Sequence, residues 1–301
     1  MKILLTGAGG FIGHHVLDVL RFRKSDELVC PVRGLSEHRF PEYDRVQWVE
    51  CDLTDIGAVH DLPDCEAVVN IASMSQVSDS LSFPGYFLRA NVDLMTNVLQ
   101  YARWKEVRRV IHLSTNEVRP IAGERNHQPR NPYGAAKAAQ EDICSAFRES
   151  FGVPVTILST RDVFGQHQQS WKMIPTIVNN IVTGKVTEIY GGPEAGRHWI
   201  HAANVGHGVK DILDMKEWPG AGNEYTACSQ QFVSHIDLVQ RIEKLVANGP
   251  AHVHFVPSDR PGHESASPGL PGRGTGPFGH VEHPVPFEMG LRNTVFQLLN
   301  P

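Results

Sequence analysis

The fold of this chain is decided by Met1–Leu20, MKILLTGAGGFIGHHVLDVL, in which a short apolar run leads into glycines and then into apolar residues at helical spacing. A glycine turn between a strand and a helix is a typical setting for phosphate binding. Gly7 allows the tight turn, Gly10 lets the backbone approach a pyrophosphate, and Gly13 lets the helix pack close to the strand. The N–H groups and the dipole at the helix start attract the anion. The G-x-x-G-x-x-G spacing therefore predicts a dinucleotide site.

The bulk composition argues against several classes of function. The 301 residues include 28 Lys+Arg against 33 Asp+Glu and no basic block, so nucleic acid is not an expected partner. No uninterrupted apolar run reaches the ~20 residues that a membrane span needs. The five cysteines are scattered without a C-x-x-C pair, which is typical of a cytoplasmic chain with free thiols. The 16 histidines lack companion ligands at useful spacing, so no metal site is predicted.

Strand and helix patterns alternate through residues 1–160. This alternation predicts an α/β fold with a Rossmann-type doubly wound parallel sheet that binds NAD(P). Residues 161–301 are predicted to form a smaller C-terminal α+β substrate lobe, some of whose elements return to the Rossmann domain. A Ser-rich loop is predicted at Ser73–Ser82, beyond a buried strand. The Gly-, Pro- and His-rich segment Pro257–Pro286 predicts an ordered loop or a partly mobile flap, not regular structure.

The end of the second predicted strand bears on the choice of cofactor. It is occupied by Arg33, at the place where an acidic residue would bind the ribose hydroxyls of NAD. A guanidinium pairs well with a 2′-phosphate, so NADP is slightly favoured over NAD, although an exposed loop arginine is also compatible with this position. Asp52 follows the third strand and either accepts from the adenine amine or caps the next helix. The remaining predicted cofactor contacts are Phe11, Ile12, Leu53 and Ala72.

Two polar segments predict an acid–base centre. Ser114 and Thr115 follow the fifth predicted strand, and polar residues just past a strand's carboxyl end are good site candidates. Tyr133 and Lys137 are four residues apart, so they share one face of the predicted helix. A lysine charge in that position lowers the pKa of a phenol toward a working value.

Eight motifs spread over nearly the whole chain follow a common pattern: TGAGGFIG (Thr6–Gly13), DLTD (Asp52–Asp55), STNEV (Ser114–Val118), YGAAK (Tyr133–Lys137), DVFG (Asp162–Gly165), WKMIP (Trp171–Pro175), RHWIH (Arg197–His201) and RPGHE (Arg260–Glu264). With them the chain resembles the extended short-chain dehydrogenase/reductase family, in its nucleotide-sugar epimerase/dehydratase branch. The last three motifs are similar to stretches of dTDP-glucose 4,6-dehydratase-like members, in which they hold the nucleotide diphosphate.

The resemblance implies a mechanism based on transient oxidation of a nucleotide sugar. Tyr133 is expected to take the proton of the sugar 4-hydroxyl, Lys137 to hold the nicotinamide ribose and Thr115 to hydrogen-bond the 4-oxygen. The resulting 4-keto group acidifies the C5 hydrogen, and the reduced cofactor is used again in the same site. Substrate contacts are expected from Ser75, Asp162, Lys172, Arg197 and Arg260.

Relatives also imply a homodimer. Its seam would be formed by the helices at residues 87–104 and 133–150, whose apolar faces otherwise belong to the core.

One departure from the family pattern bears on the reaction. Asn116 stands where the 4,6-dehydratases carry an acid, and an amide cannot donate a proton to a leaving 6-hydroxyl. Loss of a general acid lowers a rate by roughly 10²–10⁴-fold. Glu117 can still remove the C5 proton. An NDP-hexose epimerase is therefore favoured, with a 4,6-dehydratase or a decarboxylase as the alternatives.

Two further departures lie in the substrate motifs. His198 replaces the Asp that usually follows the arginine at position 197, and Gln166 replaces the Pro that usually follows the DVFG-like motif. A histidine at position 198 either changes the charge preference for the substrate or is merely tolerated.

Two interpretations from other classes remain open. A non-catalytic NAD(P)-binding regulatory or scaffold protein would share the fold, but it has no need of Thr115, Tyr133 and Lys137 together. A reductase of a small neutral ketone has no need of the diphosphate clamp implied for Arg197 and Arg260.

Overall fold

The central feature of the computed structural model is a parallel β-sheet. The structure describes residues 1–35, 42–118, 129–218, 224–229, 231–247, 249–257 and 284–300. These residues form a seven-stranded sheet in the order β3-β2-β1-β4-β5-β6-β11, and all its pairings are parallel. Its strands are β1 (Lys2–Thr6), β2 (Glu27–Val32), β3 (Val46–Glu50), β4 (Ala67–Asn70), β5 (Arg109–Thr115), β6 (Val155–Thr160) and β11 (Glu224–Ala227). The strand order reverses direction at β1, which is where such sheets bind ligands, so the predicted doubly wound fold is confirmed.

Helices cover both faces of the sheet and also build the second lobe. They are α1 (Phe11–Leu20), α2 (Ile56–His60), α3 (Val77–Ser82), α4 (Pro84–Trp104), α5 (Pro132–Phe151), α6 (Met173–Thr183), α7 (Ala202–Asp214), α8 (His235–Val246) and α9 (Phe287–Leu299). One apolar core lies between the sheet, α1 and α7, and the other lies between the sheet, α2, α4 and α5. The inner strands β1 and β4 are almost fully buried, as is typical of a parallel sheet covered on both faces.

The second half of the chain builds a smaller lobe around its own core. Helices α6, α8 and α9 enclose this core together with Phe164 and Trp199. Three two-stranded pairings frame it: β8 (Val186–Tyr190) with β13 (His252–Val256), β7 (Val163–Phe164) with β10 (Ile200–His201), and β9 (Gly196–Arg197) with β12 (Val233–Ser234). Asp162, an expected substrate contact, directly precedes β7. Arg197, another expected substrate contact, ends β9.

The Ser-rich segment at residues 73–82 is not the loop that the sequence predicted. Val77–Ser82 forms α3 instead, and inside it two serine hydroxyls bond to carbonyls of the preceding turn. Ser80 Oγ donates to Val77 O at 2.7 Å, and Ser82 Oγ donates to Ser78 O at 3.1 Å. The helix leaves the segment 73–76 as the connection between the sheet and α3.

Most of the flap segment Pro257–Pro286 lies outside the described residues, which resume at 284. Across the part of the chain that the structure describes, no helix combines the length and apolar character needed to cross a bilayer.

Candidate active site

The predicted site residues meet at the carboxyl edge of the sheet. Strands β1, β4, β5 and β6 run in the same direction, so the residues that follow or end them share one edge. This places Gly7, Ala72, Thr115 and Asp162 along a single line of strand ends. The topology therefore brings together the cofactor turn and the candidate catalytic residues, which are far apart in the sequence.

The glycine turn has the shape that a pyrophosphate requires. Gly7 has φ +73°, and a Cβ on it would lie 2.7 Å from the backbone nitrogen of Ala72. A Cβ on Gly13 would collide with the carbonyl of Gly7. Gly10 N donates to Gly7 O at 2.9 Å, and Gly10 is the exposed residue before α1. The cradle is closed to side chains but open to a ligand at the helix start, so these residues fit a dinucleotide.

The adenosine end of the expected cofactor site is exposed. Arg33 and Asp52 are both exposed, and Arg33 contributes to lowering the pKa of the Asp52 carboxyl, which is lowered chiefly by the N–H of Thr54. The alternative that Asp52 caps the next helix is wrong, because Asp55 caps α2 and accepts from Gly57 N at 2.8 Å. The predicted apolar contacts behave differently: Leu53 is buried, whereas Phe11 and Ile12 are half-buried at the start of α1.

Thr115 and Tyr133 form the centre of the site. Thr115 ends β5, and Tyr133 lies in the first turn of α5, where its hydroxyl and the Thr115 side chain are hydrogen-bonded. Gly134 permits this approach, because a Cβ there would lie 2.7 Å from the carbonyl oxygen of Glu117. Burial raises the pKa of Tyr133 to about 12, against the effect of Thr115 and with a smaller contribution from Glu117. Tyr133 is therefore a phenol in this structure.

Lys137 is buried and bonded to groups in the interior of the protein. Its Nζ lies 2.7 Å from Leu113 O, 2.8 Å from Gln140 Oε1 and 3.3 Å from His112 Nε2. Burial lowers the pKa of Lys137 to about 8. The amine thus lies among buried acceptors, and its expected effect on the pKa of Tyr133 stays a prediction.

Glu117 lies beside Tyr133 in a short 3₁₀ turn, residues 116–118. Burial raises the pKa of its carboxyl, while a hydrogen bond from Asn131 and the charges of Arg197 and Lys172 act in the opposite direction. Asn131 Nδ2 donates to Glu117 Oε2 at 3.1 Å, and Asn131 Oδ1 accepts from Gly134 N at 2.7 Å as the N-cap of α5. A carboxyl with a raised pKa next to a phenol is suited to proton transfer.

The predicted substrate ligands form a charged cluster opposite Tyr133. Arg197 Nη1 donates to Asp162 Oδ1 at 2.7 Å, so the arginine expected to bind a diphosphate is paired within the protein. The Asp162 backbone has φ +41°, and its Oδ2 is buried with no hydrogen-bond partner among the described residues. Burial lowers the pKa of Lys172. The charge of Arg197 acts in the same direction, whereas the charge of Glu117 raises this pKa. Burial lowers the pKa of His235; the nearby charge of Arg197 lowers it as well, whereas the charge of Asp162 raises it.

A cavity of about 190 Å³ opens next to this cluster. It is lined by Met74, Ser75, Gln76, Asp79, Phe87, Gln169, Trp171 and Lys172. Asn91, buried in α4, holds the cavity wall: its Oδ1 accepts from Met74 N at 2.9 Å and from Ser73 Oγ at 2.8 Å. The expected substrate residues Ser75 and Lys172 thus border one space, whereas Arg260 and the side chain of Asn116 lie outside the described part of the chain.

Several supporting residues were missed at the level of sequence. Asn131, directly before a proline that opens α5, carried a readable N-cap signal. His112 and Gln140 carried none, because an isolated polar residue in a strand or helix says nothing about its partner. Among the described residues, no group of three His, Cys, Asp or Glu side chains is arranged to hold a metal ion.

The model of the NAD dependent epimerase/dehydratase family matches residues 3–228, and the chain belongs to this family. It is 29% identical over 310 aligned positions to a dTDP-glucose 4,6-dehydratase of Mycolicibacterium smegmatis, covering 98% of this chain and 92% of that protein. It is 27% identical over 291 positions to the low-salt glycan biosynthesis protein Agl12 of Haloferax volcanii, with 88% of each chain covered. The predicted family and enzyme class are confirmed.

Solved structures show the same architecture. DesIV, a dTDP-glucose 4,6-dehydratase from Streptomyces venezuelae with NAD and TYD bound, superposes with a TM-score of 0.85 at 25% identity, covering 100% of this chain and 97% of that one. A Thermus thermophilus UDP-glucose 4-epimerase in complex with NAD superposes at 0.83 with 22% identity and 99% of each chain covered, which shows the fold alone. An NAD(P) cofactor agrees with these findings and with the shape of the glycine turn.

Proposed function

We propose that this protein is an NAD(P)-dependent epimerase of a nucleotide-linked hexose that acts through transient oxidation at C4. The observation that carries the proposal is the hydrogen-bonded pair of Thr115 and Tyr133 with the Glu117 carboxyl beside it, at the edge where the glycine turn lies. A non-catalytic binding protein has no use for that combination.

The residues of the chain have separate tasks in this reaction. The chemistry that bound NAD(P) supplies is reversible hydride transfer at the sugar carbon. The glycine turn, with Gly7, Gly10 and Gly13, holds the pyrophosphate, and Arg33 favours the 2′-phosphate of NADP. Tyr133 removes the proton from the 4-hydroxyl and later returns it. Thr115 keeps the sugar oxygen and the phenol in line through its hydroxyl.

Epimerisation is favoured over loss of water because of the residues after Thr115. Glu117, whose pKa is raised by burial, takes the proton from the carbon next to the keto group, and protonation of that carbon from the opposite face gives the epimer. Asn116 supplies no acid for a leaving hydroxyl. A 4,6-dehydratase is the second candidate, because the M. smegmatis relative and DesIV carry that name.

The substrate half of the site suits a nucleoside diphosphate. Arg197 and Lys172 supply positive charge beside the cavity that Ser75 borders, and Arg197 is paired with Asp162. Arg260 is proposed as a further diphosphate contact from its motif. A guanidinium matches the geometry of a phosphate through two parallel hydrogen bonds.

We also propose a homodimer formed through α4 and α5. These helices pack side by side and carry exposed aromatic residues at Tyr86, Trp104 and Phe151. Light scattering at several concentrations measures the oligomeric state directly, and a monomer at all concentrations would contradict the seam.

The reaction is tested by incubating the protein with UDP-, dTDP-, GDP- and CDP-hexoses in deuterated water, with NAD or NADP. An epimerase gives deuterium at the epimerised carbon without loss of water, as read by mass and NMR. Asn116→Asp is the informative variant, because it restores a general acid and is expected to add water loss. Loss of water from the sugar in the wild type favours the dehydratase, and no change in any sugar rejects both.

A further inference from the structure

Two short parallel strands carry the charged pair of the substrate half. Asp162 directly precedes β7, and Arg197 lies three residues before β10. The two strands pair with Ile200 opposite Val163, and Ile200 N donates to Asp162 O at 3.2 Å. The charged pair therefore lies at one end of this strand pair, and the contacts that hold the other end also fix the position of the charges.

The other end of the strand pair is held by Gln166 and His201. His201 ends β10, and Gln166 lies two residues after β7. His201 Nε2 is 2.9 Å from Gln166 Oε1, and His15 Nε2 on α1 is 2.9 Å from the backbone carbonyl oxygen of Gln166. The two histidines are 7% exposed or less. This His15–Gln166–His201 joint connects the strand pair to the helix that begins at the glycine turn.

The hydrogen positions in the joint follow from the start of α7. His201 is the N-cap of α7, and its Nδ1 accepts from Ala203 N at 3.3 Å. A ring nitrogen that accepts carries no hydrogen, so the hydrogen of His201 is on Nε2 and is donated to Gln166 Oε1. His15 also donates from Nε2, because a carbonyl oxygen only accepts. Both rings therefore donate to the same glutamine.

A second proton on His201 would break this arrangement. It would place an N–H of the ring against the N–H of Ala203, at the positive end of the α7 dipole. The ring packs closely against α9, where a Cβ on Gly290 would lie 2.7 Å from its Cδ2, so it has little room to turn. The charged residues of α9 on either side of that contact, Glu288 and Arg292, are exposed. An uncharged imidazole fits this position, and an imidazolium does not.

Burial and the neighbouring histidines oppose a proton on either ring of the joint. Burial lowers the pKa of His201 to about 4, and the charge of His15 contributes to the same shift. Burial also lowers the pKa of His15, although its hydrogen bond to the glutamine carbonyl raises it. The charges of His14 and His167 lower this pKa as well, whereas the charge of Asp18 raises it. Because acid favours the form in which a histidine binds its proton more readily, the joint weakens as the pH falls from the ordinary histidine range toward the pKa of His201.

We propose that Gln166 and His201 are positioning residues that hold the Asp162–Arg197 pair in place against the cofactor helix, and that they do so only while the imidazole of His201 is uncharged. The inference rests on the proposed function in one respect, since it takes Arg197 as a ligand of the nucleoside diphosphate. Strands β7 and β10 lie outside the seven-stranded sheet, so the joint can open at acid pH while that sheet stays folded. Acid is therefore expected to weaken diphosphate binding before it unfolds the protein.

The state of the joint is read by NMR on the NAD(P)-loaded protein across the acid range. Nitrogen-15 shifts of His201 are expected to show its hydrogen on Nε2 at neutral pH and a pKa well below that of an ordinary histidine. The side-chain Nε–H signal of Arg197 reports the ion pair with Asp162 and should shift with the midpoint of His201. His201→Gln, which does not titrate, should abolish that shift. A hydrogen on Nδ1, or an Arg197 signal that does not follow His201, overturns the inference.

Binding of UDP and of dTDP to the NAD(P)-loaded protein tests the positioning itself. His201→Gln keeps a donor near the place of Nε2, whereas His201→Asn keeps a cap for α7 but is too short to reach Gln166. At neutral pH the Kd of the diphosphate is expected to rise about tenfold in His201→Asn and in Gln166→Ala, and to stay close to the wild-type value in His201→Gln. On mild acidification the wild type should lose affinity, and His201→Gln should retain it.

His207→Gln is the matched control, because His207 is a half-buried histidine in the second turn of α7 that does not cap the helix. It should bind as the wild type does at each pH. Equal losses in His201→Gln and His201→Asn would show that the contact with Gln166 does not position Arg197. If His201→Asn does not fold, Gln166→Ala takes its place. Failure of the wild type to bind either diphosphate would reject the proposed function, and the NMR titration would still decide the inference.

Discussion

The two halves of the site are built by different means. The cofactor half is a matter of backbone shape: Gly7, Gly13 and Ala72 approach so closely that a methyl group would not fit. The substrate half is formed by charged side chains. Arg197 is paired with Asp162, and the charges of Lys172 and Glu117 shift each other's pKa. The first half offers a ligand fixed N–H groups, whereas the second offers charged side chains that are paired with one another.

The two halves of the site should therefore tolerate different kinds of amino-acid substitution. A backbone cradle fails when any side chain is added, because the space is already filled. A charged cluster tolerates a change of ion-pair partner, provided that no buried charge is left unpaired. The cofactor half should therefore respond to steric changes and the substrate half to changes of charge.

The largest effect is expected from Tyr133→Phe. Loss of the phenol removes the acid–base group, so kcat should fall roughly 10²–10⁴-fold while the cofactor dissociation constant stays the same. Steady-state turnover and fluorescence titration with NAD(P) measure the two quantities. Tyr86→Phe, an exposed position on α4, serves as the control and should retain full activity. Equal losses of turnover and cofactor affinity would contradict the view that the cofactor half binds NAD(P) independently of Tyr133.

With a smaller effect than that of Tyr133→Phe, the activity should depend on pH through the ionisation of Glu117. Its pKa is raised, and the ionised form is the base, so activity should fall with decreasing pH at a higher pH than an ordinary glutamate would allow. Asn131→Ser keeps a cap for α5 but removes the donor to the carboxylate, so the acid limb should move further up. A pH profile of kcat measures this, and a limb that stays in place would show that Asn131 does not stabilise the carboxylate.

Gly7→Ala tests the cofactor half by itself. The φ of +73° and the contact with Ala72 both oppose a methyl group, at about 1–3 kcal/mol, so the dissociation constant of NAD(P) should rise by roughly tenfold or more. Gly152→Ala is the matched control, because Gly152 has φ +70° but open space around it. Similar losses of cofactor affinity in both variants would contradict the steric explanation.

Asp162→Asn should have the smallest effect and the opposite sign. The amide releases Arg197 from an ion pair and tolerates the positive φ, so the KM for the nucleotide sugar should fall several-fold. Asp237→Asn removes a carboxylate paired with Arg241 on α8 and is the control. An unchanged or higher KM would mean that Arg197 does not bind the diphosphate.

The sequence predicted the parts of the site that depend on local pattern. The turn at Gly7, the strand before Thr115 and the helix that carries Tyr133 all follow from residue spacing, and the structure has them at those places. Pairings between distant residues were out of reach. Nothing in the sequence around His112 indicates that it contacts Asn70 and Lys137, because that contact depends on the strand register.

The last strand of the sheet has a consequence for biosynthesis. Strand β11 pairs with β6, and α7 covers α1, so the nucleotide-binding layer is completed by residues made long after β6. A nascent chain that has reached only residue 160 exposes an open strand edge and an uncovered apolar helix face, both of which invite aggregation. The sheet can therefore be completed only after the residues of β11 have been synthesised.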